Sequence, residues 1–161
     1  MSSYTIAGLP LHVLLVHAVV VLTPLTALAV ILHALWPVAA RRLGIVTPIA
    51  ALVVLVLVPI TVNAGQALEG AVPHSAAIDR HAALGGTLLP WAIALFVVAV
   101  ALWLWYRYRA RLEKRMPHAG AVTLGIVVRV VAVLVAIGTV IDVILIGDAG
   151  SRAVWGSIVG G

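Results

Sequence analysis

Imidazole and carboxylate side chains are the groups in this chain that could do chemistry, and they lie near the ends of long apolar segments. Two imidazoles from facing helices can hold a haem as its axial ligands. Imidazole together with carboxylate is a ligand set that suits zinc, copper or iron. The candidate residues are His12, His17, His74, His81, Asp142 and Asp148.

The two histidines of the first apolar segment, His12 and His17, are spaced so that they point in different directions. Five residues correspond to roughly 140° around a straight helix, so these two side chains are not expected to bind one small ion together. His17 lies about 8 Å deeper along the helix axis. Because an ionisable side chain facing lipid is costly, we expect His17 to face the interior of a helix bundle.

Three interpretations of this group remain open from the residues alone. The first is structural, with histidines and acids that hydrogen-bond across helices or stay hydrated. The second is haem ligation, for which His17 with His81 is the first pair to consider and His12 the next. The third is a divalent metal site, zinc, copper or iron, drawn from His12, His17, His81, Asp142 and Asp148. For Asp142 we expect a pairing with His81 or His12.

Arg129 is a further candidate for contact with a cofactor. It lies about 12 Å into the fourth apolar segment, where a lone charge needs a partner or must reach towards the headgroups. Partners that we consider are His33, backbone carbonyls freed by Pro48 or Pro90, and an anionic or polar ligand such as a haem propionate, a lipid phosphate or a quinone carbonyl.

The elements that must position these groups are membrane-spanning helices. Of the 161 residues, 64% are hydrophobic and 9% are charged, whereas a soluble domain is about 25% charged. Four segments reach the roughly 20 apolar residues that a spanning helix needs. We predict an all-α, integral membrane four-helix bundle with short loops, formed as a single domain over 1–161. The helices are expected at about 10–36, 43–68, 81–106 and 121–146, followed by a short surface or re-entrant segment.

The distribution of basic residues predicts the orientation of this bundle. The first and third connections are rich in arginine and lysine, and such connections face the cytoplasm. Both termini and the second connection are then extracytoplasmic, in a bacterial plasma membrane. The net charge of +5 is explained by this topology, so no nucleic acid partner is expected. The basic residues concerned are Arg41, Arg42, Arg107, Arg109, Arg111, Lys114 and Arg115.

Small residues such as Gly125 and Gly138 are expected to allow close contacts between helices. No internal repeat is evident in the sequence. Cysteine is absent, which excludes disulfides and thiolate metal sites.

Three short motifs resemble the bacterial domain-of-unknown-function 2231 family of four-helix membrane proteins. They are the segment Gly8 to His17, the tetrapeptide 79–82 (Asp-Arg-His-Ala), and the segment Gly147 to Trp155. The chain departs from the family where it has Val13 in place of a proline, Ala18-Val19 in place of Phe-Pro, and Asp148 where members can have histidine.

Some members of that family look fused to Rieske-type iron–sulfur domains, so the resemblance implies a redox setting. It also implies a site formed by His12, His17 and His81 with the 147–155 segment. The function expected is a small redox-associated membrane protein that holds haem b, or contacts a quinone, near the outer leaflet. Its partners would be the lipid bilayer and a redox protein or further copies of the chain. The alternatives are a non-haem metal-binding protein and a structural or assembly subunit without a ligand.

Overall fold

The computed structural model describes residues 5–6, 9–70 and 75–159, with side chains over 11–70 and 75–156. His74 lies outside these residues. Two antiparallel strands of two residues each, β1 (Thr5–Ile6) and β2 (Leu9–Pro10), pair with each other. All the other described elements are helices. In chain order they are α1 (Leu11–Leu35), α2 (Pro37–Leu43), α3 (Val46–Glu69), α4 (Ala76–Gly85), α5 (Leu88–Arg115) and α6 (His118–Val159).

The chain is a multi-pass membrane protein, as the composition predicts. Four helical segments are long and apolar enough to cross a bilayer, and the mean hydropathy of their most apolar stretches lies between 2.3 and 2.7. Large apolar side chains cover the outside of the bundle, among them Leu25, Val97 and Leu134, which are 56%, 57% and 62% exposed. Lipid is the solvent that such a surface needs. The prediction of an all-α four-helix membrane bundle is confirmed.

The four long helices form a ring in which neighbours are antiparallel. Both α1 and α5 pack against α3 and α6, so α1 and α5 lie across one diagonal of the bundle. Small and branched side chains fill the centre, because they let helices approach closely. The fully buried members of this core include Ala27, Val30, Ala51, Leu95, Ala99, Leu102, Ala132 and Ala136.

Several helix boundaries differ from the sequence prediction. The third spanning segment is not one helix over 81–106, because α4 ends at Gly85 and α5 begins at Leu88. Two consecutive glycines explain the break, since glycine is a poor helix former. The first connection contains the additional helix α2. No re-entrant segment follows the fourth span in the described residues, because α6 continues through 42 residues to Val159.

The four prolines within α1, α3 and α5 fall into two groups. Pro24 and Pro59 lie inside α1 and α3. Pro48 and Pro90 are the third residues of α3 and α5. The first turn of a helix has N–H groups without intrahelical acceptors, so proline costs little there. Pro48 and Pro90 therefore help to start helices rather than kink them.

Gly125 and Gly138 of α6 allow close contacts between helices, as expected. At each glycine the neighbouring group is the indole ring of a tryptophan. A Cβ at Gly125 would lie 2.6 Å from Cζ2 of Trp105, and a Cβ at Gly138 would overlap the ring of Trp91. Both tryptophans belong to α5. The close packing of α5 on α6 therefore depends on glycine at these two positions.

A stability measurement tests this packing. Gly138→Ala should lower the apparent Tm in detergent, because overpacking costs about 1–3 kcal/mol. Gly147 is the matched control, since it also lies in α6 but has no atom within 4 Å of the added Cβ. Gly147→Ala should leave the apparent Tm unchanged or raise it slightly, because alanine is the better helix former. Equal effects of the two substitutions would contradict this account.

Candidate functional site

The polar groups of the bundle are concentrated at its two ends. His12, His81, Asp142 and Asp148 lie at one end, which we call the histidine-rich end. The opposite end carries α2 and the connection from α5 to α6, and we call it the arginine-rich end. The helices α1 and α5 run from the first end to the second, and α3 and α6 run back.

His12, in the first turn of α1, lies against the backbone of α3. Its Nδ1 is 3.0 Å from the carbonyl oxygen of Thr61. One turn further along α3, a Cβ at Gly65 would lie only 2.9 Å from Cε1 of His12. The absence of a side chain at Gly65 is therefore what lets the imidazole approach α3 this closely.

His81, in α4, lies against α6 in the same manner. Its Nδ1 is 3.2 Å from the carbonyl oxygen of Ile146. A Cβ at Gly150, one turn further along α6, would again lie 2.9 Å from the histidine Cε1. In both contacts the accepting carbonyl belongs to the residue four positions before the glycine.

These two contacts are part of a repeated pattern of buried positions, which the sequence alone does not make evident. The glycine follows a polar residue and an alanine in both places, as Asn63-Ala64-Gly65 in α3 and as Asp148-Ala149-Gly150 in α6. The buried positions of each half also share one spacing. In α1 and α5 they include Val19, Thr23, Thr26, Val30 and His33, matched by Leu88, Ala92, Leu95, Ala99 and Leu102. In α3 and α6 they include Thr47, Ala51, Val54 and Val58, matched by Ala132, Ala136, Thr139 and Val143.

The two imidazoles meet where the halves of the repeat adjoin. The ring centroids of His12 and His81 are 6.3 Å apart, and the ring planes are inclined at 71°. A carbonyl oxygen only accepts hydrogen bonds, so Nδ1 of each ring is the protonated nitrogen. In the neutral imidazole Nε2 then carries the lone pair. Neither Nε2 makes a hydrogen bond to the described residues, so both are available to a ligand.

His17 does not face the interior of the bundle, contrary to our expectation. Its side chain is exposed, and its Nδ1 lies 2.6 Å from the carbonyl oxygen of Val13 in the same helix. That hydrogen bond satisfies the imidazole within α1, which lowers the cost of an outward position. The residue beside His81 is His12, so the pairing of His17 with His81 is not the one that the fold brings together.

Asp142 is buried, and it pairs with a hydroxyl rather than with His81 or His12 as predicted. Thr87 Oγ1 lies 2.8 Å from Asp142 Oδ1 and 2.7 Å from the carbonyl oxygen of Leu84. Thr87 is in the break between α4 and α5, so this contact ties the break to α6. The second carboxyl oxygen, Oδ2, is buried without a partner among the described residues.

Asp148 is exposed and forms an ion pair with Arg152 one turn along α6, at 2.8 Å. It is therefore engaged at the surface. Within the described residues, no three His, Cys, Asp or Glu side chains lie close enough together to hold a metal ion. The metal set His12, His17, His81, Asp142 and Asp148 is thus not assembled as one group there.

Arg129 lies towards the arginine-rich end, about 25 Å along α6 from the level of Ile146. Its guanidinium carbon is 5.7 Å from the ring centroid of Tyr106, and its Nε is buried without a partner. His33, one of the partners we considered, bonds to Thr47 instead. Arg129 and the imidazoles of His12 and His81 are too far apart to contact one haem.

Sequence reasoning missed Thr61, Gly65, Ile146, Gly150 and Thr87, which hold the polar groups in place. Two of these residues contribute only a backbone carbonyl and two contribute only the absence of a side chain. The similar tripeptides that end at Gly65 and Gly150, Asn-Ala-Gly and Asp-Ala-Gly, are the signal that could have pointed to them.

No protein-family model matches the chain, no curated protein matches its sequence, and no solved structure matches its fold. The family resemblance carried by the short motifs accordingly stays a prediction.

Replacement of Thr87 tests the link between the helix break and α6. Thr87→Val should lower the apparent Tm, because it leaves a buried carboxyl with neither oxygen hydrogen-bonded, at a cost of about 1–3 kcal/mol. Thr87→Ser keeps the hydroxyl and should preserve most of the stability. The double variant Thr87→Val with Asp142→Leu should be more stable than Thr87→Val alone, since both polar groups are then removed. A Thr87→Val protein as stable as Thr87→Ser would rule out the link.

Proposed function

We propose that this membrane protein holds one haem b between His12 and His81 and acts as a small electron-carrying subunit. The observation that carries the proposal is the pair of imidazoles, each fixed through Nδ1 to a backbone carbonyl and each with Nε2 available. Metal-binding histidines commonly donate their other ring N–H to a carbonyl or carboxylate, which orients the ring and fixes the tautomer. Such a contact is present at both rings.

The separation of the rings supports a metal held between them on opposite sides. With metal–nitrogen bonds of about 2.0 Å, two imidazoles on opposite sides of one ion have ring centres about 6 Å apart. Two imidazoles at tetrahedral positions would be about 5 Å apart. The observed centroid distance is 6.3 Å. His12 and His81 would be the residues that hold such a group, at a ring separation nearer to the value for opposite positions than to the tetrahedral value.

The number of ligands points the same way. A bis-imidazole haem needs two protein ligands, whereas a structural non-haem site needs three or four. Two imidazoles are what the described residues bring together. A haem held by His12 and His81 would supply electron transfer. The resemblance to a family with Rieske-type fusions supports the same redox setting.

The orientation belongs to the same proposal. In membrane proteins, lysine and arginine are enriched in the loops that face the cytoplasm. Arg41, Arg42 and the basic residues that end α5 would lie inside the cell, and His12 and His81 would lie near the outer leaflet. Both termini would then be extracytoplasmic.

Haem content is the direct test of function. The protein, purified in detergent after expression with a haem supply, should show a Soret band and about one haem b by the pyridine haemochrome assay. His12→Ala and His81→Ala should each lose most of this haem, because each removes one axial ligand. His17→Ala is the matched control, since His17 is exposed and bonds within its own helix. It should retain haem.

Other results of the same preparation would overturn the haem assignment. Stoichiometric zinc, copper or iron without porphyrin would favour the non-haem alternative, and bound quinone without haem would favour a quinone contact. Equal loss of haem in all three histidine variants would remove the role of the His12–His81 pair.

Cysteine labelling tests the orientation, and the absence of native cysteine makes the experiment clean. Ala76→Cys and Glu113→Cys place single thiols at the two ends, at positions that are exposed. In intact cells, a membrane-impermeant maleimide should label residue 76 and spare residue 113. After permeabilisation both should be labelled. The reverse pattern in intact cells would invert the proposed topology.

A further inference from the structure

A second candidate site lies at the arginine-rich end, away from the paired histidines. It is a cavity of about 300 Å³ between the end of α1, α2 and the last turns of α5. Apolar residues, among them Pro37, Ala40 and Trp103, form part of its wall. Its position at the ends of the spanning segments places it at the level of lipid headgroups.

The charges that line this cavity are all positive. Arg41, Arg107 and Arg109 contribute to its wall, and none of the residues that line it is acidic. Arginine presents a planar fork of donors that matches the oxygens of a phosphate group. The electrostatics of the cavity therefore suit an anion.

His33 adds a buried donor to the same wall. Its side chain has no exposed surface, and its Nδ1 lies 3.0 Å from Thr47 Oγ1. The Thr47 hydroxyl can donate to Nδ1, and in that tautomer the proton of the neutral ring is on Nε2. That Nε2–H is buried and has no acceptor there.

Tyr106 adds a second donor without an acceptor. Its ring is packed against His33, with centroids 5.3 Å apart, and its hydroxyl is buried without a partner among the described residues. A buried polar group without a partner is costly, so such groups call for an explanation in each case. Both residues line the cavity, so a ligand there that brings acceptor oxygens is the partner that we consider for them.

We propose that this cavity binds the phosphate group of an anionic phospholipid. The guanidinium groups of Arg41 and Arg109 would bind the phosphate charge, while His33 and Tyr106 would donate hydrogen bonds from the interior. The apolar part of the wall favours a lipid over a soluble phosphate. Basic pockets between spanning helices are a general means of holding anionic headgroups.

Lipid binding to the purified protein tests this proposal. Native mass spectrometry in detergent, with phosphatidylglycerol titrated against phosphatidylcholine, should show selective retention of phosphatidylglycerol. Arg41→Gln should weaken that binding about tenfold, because it removes one charge-assisted contact. Arg42→Gln is the matched control, since Arg42 is the adjacent arginine and does not line the cavity. It should bind as the unaltered protein does.

His33→Phe is a second variant that keeps a buried ring and removes the donor, and it should also weaken binding. If this variant does not fold, the comparison of Arg41 with Arg42 still decides the matter. Equal retention of the two lipids, or equal binding by the two arginine variants, would overturn the proposal. Inorganic phosphate that competes with the lipid at millimolar concentration would keep the phosphate site and assign it to a soluble phosphate.

Discussion

Lipid as the solvent is the constraint on which the rest of this structure depends. A helix in the bilayer must satisfy its own backbone, and an apolar surface gives no reason for two helices to associate. Association then relies on close packing, which small residues allow. In this protein, aromatic rings pack closely against glycines, Trp91 against Gly138 and Trp105 against Gly125.

The same packing device places the polar groups at the histidine-rich end. One imidazole packs against a glycine of α3 and the other against a glycine of α6, and each donates its Nδ1–H to the carbonyl oxygen one turn before that glycine. Because the halves of the bundle repeat one another, the two imidazoles arrive at the junction in equivalent settings. The arginine-rich end lacks this equivalence, since His33 has no histidine counterpart in α5.

Much of the fold could be predicted from the sequence, and the site only in part. The four membrane-spanning segments could be predicted because the length of an apolar segment largely decides whether it crosses a bilayer. The break between α4 and α5 was missed because a hydropathy average does not register Gly85 and Gly86. His17 was assigned to the interior on depth alone. The cost of exposure can instead be reduced by a hydrogen bond within its own helix, as the contact with Val13 shows.

The sequence by itself determined that the chain crosses a membrane, and which segments do so, since these follow from composition and length. It also placed the histidines and acids near one end, because helix rise converts residue number into depth. Only the tertiary structure decided which groups meet. The rotation of each helix about its axis places His12, and not His17, beside His81. It also places Asp142 within hydrogen-bonding distance of Thr87. That rotation is set by side-chain packing between helices, which no single segment encodes.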